Sequence, residues 1–500
     1  MRTHLVLVCT LTAVLQAGDS VRRYGRGTPG SGNIEPTIWV NRAPRPGDAG
    51  FEIRVERVLG GTWAFPFLGT VPADVSFSGV RFLVDPRFAV YGGAYFMAGQ
   101  GNGGGAGSIP LPLPAEPGLV GQAVYVQAFT LDDFAPNPLG IGATTGLRLV
   151  PAGPAALLTA RATRGAPDAQ AVIDLAANRV VTFDATRFTE ARGAAFVQHG
   201  NVALAADPAT ARLHVFDASV APPAWVSATP LSADGVADAI VPSPDGTRAY
   251  VLHVGVVGTQ PPLAAYDVRK GVSLGQPWPG APIRLAGVAD ARGMVFRSDS
   301  AEAFVASLGS ASGTSGSVVR VDVDPSSPTF HQESARLAFP GHEVRDVAIA
   351  PDDSVLYVLL AAPGQRSQLA IVDRSTLVPV DQDPATPGVQ HLGGELSVPR
   401  TAIPDVVERL LADPRGEEVY CSTLGGVVRV GVAPGSASPR QVVFIGDNIS
   451  AAEVVAAMVL GDAGERLYAA TLTQVVEIDT STGLSPRGWP LQDVVALAFR

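Results

Sequence analysis

VPSPDGTRAYVLHV, Val241–Val254, sets a Pro-Asp-Gly turn between two apolar runs. Proline presets the backbone for a turn and glycine accepts the positive φ that closes it, so the stretch reads as strand, turn at Pro244–Gly246, strand. Its weight comes from recurrence. AYVLHV begins at Ala249, AFVASL at Ala303, LYVLLA at Leu356, VYCSTL at Val419 and LYAATL at Leu467, at intervals of 54, 53, 63 and 48 residues. An apolar run and polar turn precede each: AIVPSPDG, GMVFRSDS, VAIAPDDS, RLLADPRG and AMVLGDAG. A third run follows each: PLAAYDV, SVVRVDV, QLAIVDR, GVVRVGV and QVVEIDT. The unit is strand, turn, strand, loop, strand, and stacking such units buries faces that one unit cannot bury alone.

Two further copies lie upstream. AAFVQHGNVALAADPATARLHVFDAS is irregular, and QAVIDLAANRVVTFDA has a second and third strand but no convincing first. The chain ends LQDVVALAFR, a first strand with nothing after it. Pairing this last strand with the partial copy closes a ring and removes exposed sheet edges. AALLTA, from Ala155 to Ala160, is the rival for the same place. Either closure predicts an all-β fold with a seven-bladed β-propeller over residues 170–500.

SPDGTRAYV, APDDSVLYV and RLYAATLTQVVEIDTSTG resemble the seven-bladed propellers of the YVTN and lactonase-like group, close in layout to WD40-like repeats. The resemblance covers about two-thirds of the chain and implies an architecture more than an activity. The same fold supports sugar-lactone hydrolysis, ligand display, protein docking and plain scaffolding.

Residues 24–151 hold other strand-like runs, among them TIWVN, FEIRVERV, VRFLVDP, QAVYVQAF and GLRLV, between Gly, Pro, Asn and Asp. About seven short strands in this span predict an Ig-like β-sandwich accessory domain. The Gly99–Gly107 stretch GQGNGGGAG lacks the Lys and Ser or Thr of a phosphate loop and reads as a hairpin tip. YGRGTPGSGNIEPTI, with IPLPLPAEPGLVGQAVYVQAFTLDDFAPNPLGIGATTGLRL, resembles a small module of secreted proteins from environmental bacteria. That module has a cysteine where Thr28 stands, and the resemblance implies an extracellular accessory role. Residues 152–169 read as a linker.

MRTHLVLVCTLTAVLQAGDS has a short basic start, an apolar run from Leu5 to Leu15 and the small Ala17, the pattern of a signal peptide over residues 1–18. The expected location is secreted, periplasmic or cell-envelope, with no transmembrane segment in the mature chain. Removing that segment takes Cys9 with it and leaves Cys421, in EVYCSTL, as a buried strand thiol. With 36 basic and 46 acidic residues, a net charge of −10 and Lys270 as its one lysine, the chain is unsuited to nucleic acid.

Motifs for hydrolysis or metal binding are missing. There is no Gly-x-Ser-x-Gly elbow and no His-Glu-x-x-His, and His199, His214, His253, His331, His342 and His391 are scattered without ligand spacing. VDVDPSS, DQDP and LDDFAPN lack the ladder of a calcium loop and read as turn caps. No metal or cofactor is expected.

One pattern remains. Acids stand at the start of several first strands: Asp238, Asp346, Glu408, Glu453 and Asp493, with Asp290 and Arg292 flanking GMVF and Arg345 beside Asp346. Propeller topology gathers these positions at one mouth of the central channel, where a ligand or partner would bind. The ordinary alternative is that each acid caps its own loop. The expected function is therefore a secreted binding or scaffold protein with an unknown protein or small-molecule ligand at that mouth, more readily a non-enzyme. The alternative is a lactonase-like hydrolase acting on a sugar lactone.

Overall fold

The computed structural model describes residues 21–499 apart from 42–43, 117–118, 120–121, 152–155, 162–169, 176–177, 183–191, 198–201, 219–222, 232–235, 245, 255–261, 270–275, 278–281, 287, 289, 310–314, 362–366, 381–408, 424–425, 433–441, 447–448, 450–452, 462–463, 472 and 492–493. The fold is all-β, with one 3-10 turn at Ser31–Asn33. Backbone contacts divide the chain into two compact units between Pro154 and Ala155.

The larger unit contains seven four-stranded antiparallel sheets. Six follow one another along the chain as blades 1 to 6, and their innermost strands are Arg192–Val197, Val236–Pro242, Ala291–Phe296, Glu343–Ile349, Leu410–Ala412 and Ala457–Gly461. The seventh is split. Val494–Phe499 pairs with Ala156–Arg161, which pairs with Gln170–Asp174 and then Arg179–Thr182. Val494–Phe499 also packs against the innermost strands of blades 1 and 6, so contacts between innermost strands run in a closed cycle. This is a β-propeller.

Two expectations change here. The linker read over 152–169 contains a strand, Ala156–Arg161, because its backbone is needed between the last strand and Gln170–Asp174. The rivals for closure also turn out to be partners: the chain's last strand is innermost and AALLTA supplies the second, moving QAVID and RVVT one place outward. Every blade has a fourth, outer strand, which the three-run repeat did not reveal. Glu333–Pro340 of blade 3 alternates half-buried and exposed for most of its length, as one face meets water.

The cores lie between blades, and alternation decides which side chain goes where. In the Arg248–Val254 strand of blade 2, Ala249 and Val251 pack with blade 1, while Tyr250 and Leu252 pack with Met294, Phe296 and Val305 of blade 3. Both faces are buried, so the strands read as unbroken apolar runs. The recurring aromatic is the deepest expression of this. Tyr250, Phe304, Tyr357, Tyr420 and Tyr468 are all buried, and each packs toward the following blade. The Tyr250 hydroxyl meets His331 Nε2 at 3.1 Å, and its ring lies 5.3 Å from that of Phe296. Cys421 sits in the same layer as a buried free thiol. At the closing seam, Trp489 Nε1 donates to Asn178 Oδ1 at 3.0 Å and Arg487 Nη1 to the Leu175 carbonyl at 3.2 Å.

The smaller unit has a seven-stranded, a three-stranded and a two-stranded antiparallel sheet. Thr28, at the position of the module's cysteine, pairs its backbone with Ala143 and accepts a hydrogen bond from the Arg81 amide through its hydroxyl, at 2.8 Å. The Gly99–Gly107 stretch joins Tyr95–Met97 to Gly105–Pro110, two strands bridged at Ala98 and Ala106, as a hairpin tip would. Among the described residues, no helix is long and apolar enough to cross a membrane.

Candidate polar site at the inner ends of the blades

The site begins with a backbone irregularity. In four successive blades the innermost strand carries a β-bulge near its leading end, and the extra residues are Gly193, Asp238, Arg292 and Arg345. A bulge leaves one residue out of the ladder and re-aims its side chain. Three of the four extra residues are charged, so the interruption places charge at the inner rim of an apolar scaffold.

Asp238 is the focus. It is 1% exposed, and neither carboxylate oxygen accepts a hydrogen bond from any described residue. Burial pushes its pKa up to about 6, even though Arg409, Arg292 and Arg192 favour the charged form; Asp290 adds to the rise. Arg409 itself is fully buried, and its Nη1 lies 3.3 Å from the carbonyl oxygen of Arg292. A guanidinium from blade 5 therefore reaches blade 3, and its field acts on a carboxylate from blade 2. The leading ends of these strands converge on charge, not on an apolar plug.

The other sequence candidates divide. Asp290 and Arg292 belong to the same group, paired at 3.6 Å with side chains 25% and 17% exposed. Asp346 is committed to structure: Oδ1 accepts from the Val347 amide at 2.9 Å and Oδ2 from the Leu410 amide of the next blade at 3.0 Å. A β-carbon on residue 293 would lie 2.0 Å from Asp346 Oδ1, so Gly293 is the space this staple occupies. Arg345 pairs with Glu343 at 2.5 Å. Glu453 accepts hydrogen bonds from the Thr471 and Thr473 hydroxyls within blade 6, the capping arrangement expected of an ordinary loop acid. Glu408 and Asp493 lie outside the described residues, as does Asp245 of the opening turn.

Arg192 and Arg409 were missed. A signal for the first was present, since Ala-Arg-Gly stands at both Ala191 and Ala291, one repeat pair apart. Arg409 directly follows Glu408 and begins RLLA, so it reads as a strand residue until its carbonyl accepting from the Ser422 amide and its Nη1 meeting the Arg292 carbonyl show it at the inner end of blade 5. Among the described residues, no group of three or more His, Cys, Asp or Glu is arranged to hold a metal ion. Chemically, the cluster offers guanidinium donors to an anion or carbonyl oxygen, and one carboxylate able to accept hydrogen bonds or a proton.

No family model matches the chain, and no curated protein does. Solved structures do match. A protein described as a putative 6-phosphogluconolactonase from Bacteroides uniformis is 14% identical, with a TM-score of 0.51, over 69% of this chain and 99% of its own. A protein from Lactobacillus plantarum is 11% identical with the same TM-score and the same two coverages. The periplasmic gluconolactonase of Pseudomonas aeruginosa is 14% identical over 69% of this chain and 98% of its own, with a TM-score of 0.49. At such identities the likeness is one of fold.

Proposed function

We propose that the chain is a secreted seven-bladed β-propeller that binds a small, hydroxyl-rich acid or lactone at the inner ends of blades 1 to 5, with residues 24–151 as a β-sandwich accessory unit. The observation that carries this reading is Asp238. A buried carboxylate without a hydrogen bond costs the fold stability, because desolvation is uncompensated. A ligand that donates hydroxyls to Asp238 supplies the hydrogen bonds its carboxylate lacks, and the positive field of Arg409, Arg292 and Arg192 around it favours a carboxylate or carbonyl oxygen on the same molecule. Arg292 and Asp290, partly exposed, form the accessible edge of the group.

Secretion rests on the apolar leader of residues 1–18. The sandwich reading rests on two sheets in contact: Thr37–Val40 of the three-stranded sheet packs against Val21–Tyr24 and Gly146–Leu149 of the seven-stranded one.

A second reading, lactone hydrolysis, is favoured by the same residue. Asp238, its pKa raised to about 6 by burial, can act as a general base that accepts a proton from water as that water attacks the lactone carbonyl, while guanidinium groups polarise the carbonyl oxygen. The name given to the Bacteroides uniformis protein points to the same substrate class.

One experiment addresses both. Titration calorimetry with gluconate, and proton NMR of glucono-δ-lactone with and without the protein, are run on wild type and Asp238→Asn. Binding of gluconate that Asp238→Asn weakens supports the site. Lactone opening faster than the spontaneous reaction, and lost in the variant, supports the hydrolase. Gluconate and lactone that neither bind nor react overturn both.

A further inference from the structure

Blades 2 and 3 are also joined at their turn ends, at the far end of the strands from Asp238. The joint is residues 324–332, DPSSPTFHQ, which lead from Ser315–Asp322 to Glu333–Pro340, the two outer strands of blade 3. Asp322 holds this segment from behind: its carboxylate accepts from the Asp324 amide at 3.0 Å and from the Ser327 and Thr329 hydroxyls. The amides of Phe330, His331 and Gln332 donate to the carbonyls of Ser327, Asp322 and Thr329 at 3.2, 2.7 and 2.9 Å.

From this segment a short chain of hydrogen bonds crosses to blade 2. Arg248 Nη1 donates to the Tyr250 hydroxyl at 3.3 Å, and that hydroxyl stands 3.1 Å from His331 Nε2. A hydroxyl oxygen that accepts from a guanidinium has its own proton to give, so His331 Nε2 accepts in turn. The Phe330 and His331 rings stack at 3.7 Å, the Arg248 guanidinium lies 5.7 Å from the Phe330 ring, and Arg248 also donates to the Val323 carbonyl. Arg248 and Tyr250 are fully buried; His331 is 9% exposed, and its Nδ1 makes no hydrogen bond to any described residue. His331 has φ 63°, a left-handed conformation that costs a side-chain-bearing residue and that these contacts must offset.

The joint has no room for a second proton on this imidazole. An Nε2–H would point at a hydroxyl that already accepts from Arg248, and a second cation would stand beside the Arg248 guanidinium in a space closed to water. The charged groups that act on His331 are Arg248 from blade 2 and Asp322 from blade 3, while Asp324 on the segment itself accepts from the Ser326 amide and hydroxyl. The Asp322 carboxylate is already taken by three donors. Burial and then Arg248 hold the His331 pKa down to about 4, against the opposing pull of Asp322.

We propose that residues 324–332 form an acid-released clasp, which ties blade 3 to blade 2 while His331 is neutral and lets go when His331 takes up a proton. The folded pKa lies below the ordinary histidine value, so the clasp is at full strength above pH 6.5 and weakens as pH falls toward 4. The contacts that cross between the blades here are made by side chains, so the clasp opens with the strand ladders of both blades intact.

The test is hydrogen exchange of the full chain, read by mass spectrometry at pH 7.5 and 4.5 and corrected for the intrinsic pH dependence of exchange. Wild type should lose protection over residues 324–332 by about tenfold or more, while peptides from the Arg248–Val254 and Leu263–Asp267 strands keep theirs. His331→Gln takes up no proton in this range and should lose less than about threefold. Asp238→Asn should behave as wild type, which keeps the outcome independent of the channel site. Nitrogen NMR of the histidine rings in wild type follows the proton itself and stands even where His331→Gln fails to fold; a His331 midpoint below about pH 5, coincident with the loss of protection, is expected. The proposal is overturned by protection that does not change with pH, by an equal loss in His331→Gln, by a loss that spreads at once through blades 2 and 3, or by a His331 midpoint near the ordinary histidine value.

Discussion

The propeller and the N-terminal unit are both made of short antiparallel strands, yet the propeller's recurring aromatics and those along one sheet face of the N-terminal unit are placed in opposite ways. Tyr250, Phe304, Tyr357, Tyr420 and Tyr468 point between blades and are lost to solvent, whereas Trp63, Phe96 and Tyr91 stay about half exposed. A strand sandwiched between two others has no outer face, so its aromatics can only add stability. A strand at the surface of a sheet has a free face, and aromatics kept there add little to stability and become available to a ligand.

Five substitutions sharpen that contrast, from the largest effect to the smallest. Leu497→Asp puts a carboxylate into the seam between blade 6 and the closing blade, where Leu497 is 1% exposed. A loss of at least about 4 kcal/mol is expected, with calorimetry showing the propeller transition lowered or abolished and the N-terminal unit's transition unmoved. Phe304→Ala opens a cavity between blades 3 and 4 and should cost about 3–5 kcal/mol in denaturant unfolding. If both transitions move together in either variant, the two units are not separate folding bodies.

Third is Asp238→Asn, whose effect depends on pH. The folded pKa is raised to about 6 by burial, above the ordinary carboxylate value, so the folded form holds a proton that the unfolded chain has released. The penalty is full above pH 6 and fades as pH falls toward 4. The variant should therefore be more stable than wild type by on the order of 2–3 kcal/mol at pH 7.5 and nearly equal to it at pH 4. His253 acts in the opposite sense. Burial holds its pKa down at about 4, against the carbonyls of Pro262 and Val251, so its contribution is intact above pH 6.5 and lost as pH falls toward 4. Melting curves of Asp238→Asn and His253→Leu between pH 4 and 7.5 should diverge from wild type at opposite ends; parallel curves would contradict the burial of either group. Last, Trp63→Ala should change stability by less than about 0.5 kcal/mol, in contrast to Phe304→Ala.

Much of the propeller was legible in the sequence. The repeated aromatic strand and the Pro-Asp-Gly-like turns point to blades, and the unmatched last strand points to ring closure because edges must be paired, although the sequence left that strand and AALLTA as rivals for one place. The fourth strands were not legible, because an outer strand with one wet face tolerates varied residues. Val378–Pro379, a two-residue example, leaves no pattern to read. The site was half legible. Asp238, Asp290 and Arg292 were singled out from their place at the start of the first strands, and Asp346 by the same rule, although its carboxylate serves Val347 and Leu410 instead. Position along a repeat shows which end of the blade a residue occupies; hydrogen-bond partners in the next blade show whether it is free to act.

The sequence by itself determined the all-β class, the repeat, and the burial of every second residue toward one neighbouring blade, because alternation and turn chemistry are local. Tertiary structure decided the rest. It joined Val494–Phe499 to Ala156–Arg161 across more than three hundred residues, and it brought Arg192, Arg292 and Arg409 from three blades to one carboxylate. Neither is local: ring closure and charge convergence depend on how seven sheets meet at a common axis, and no spacing within one repeat records that.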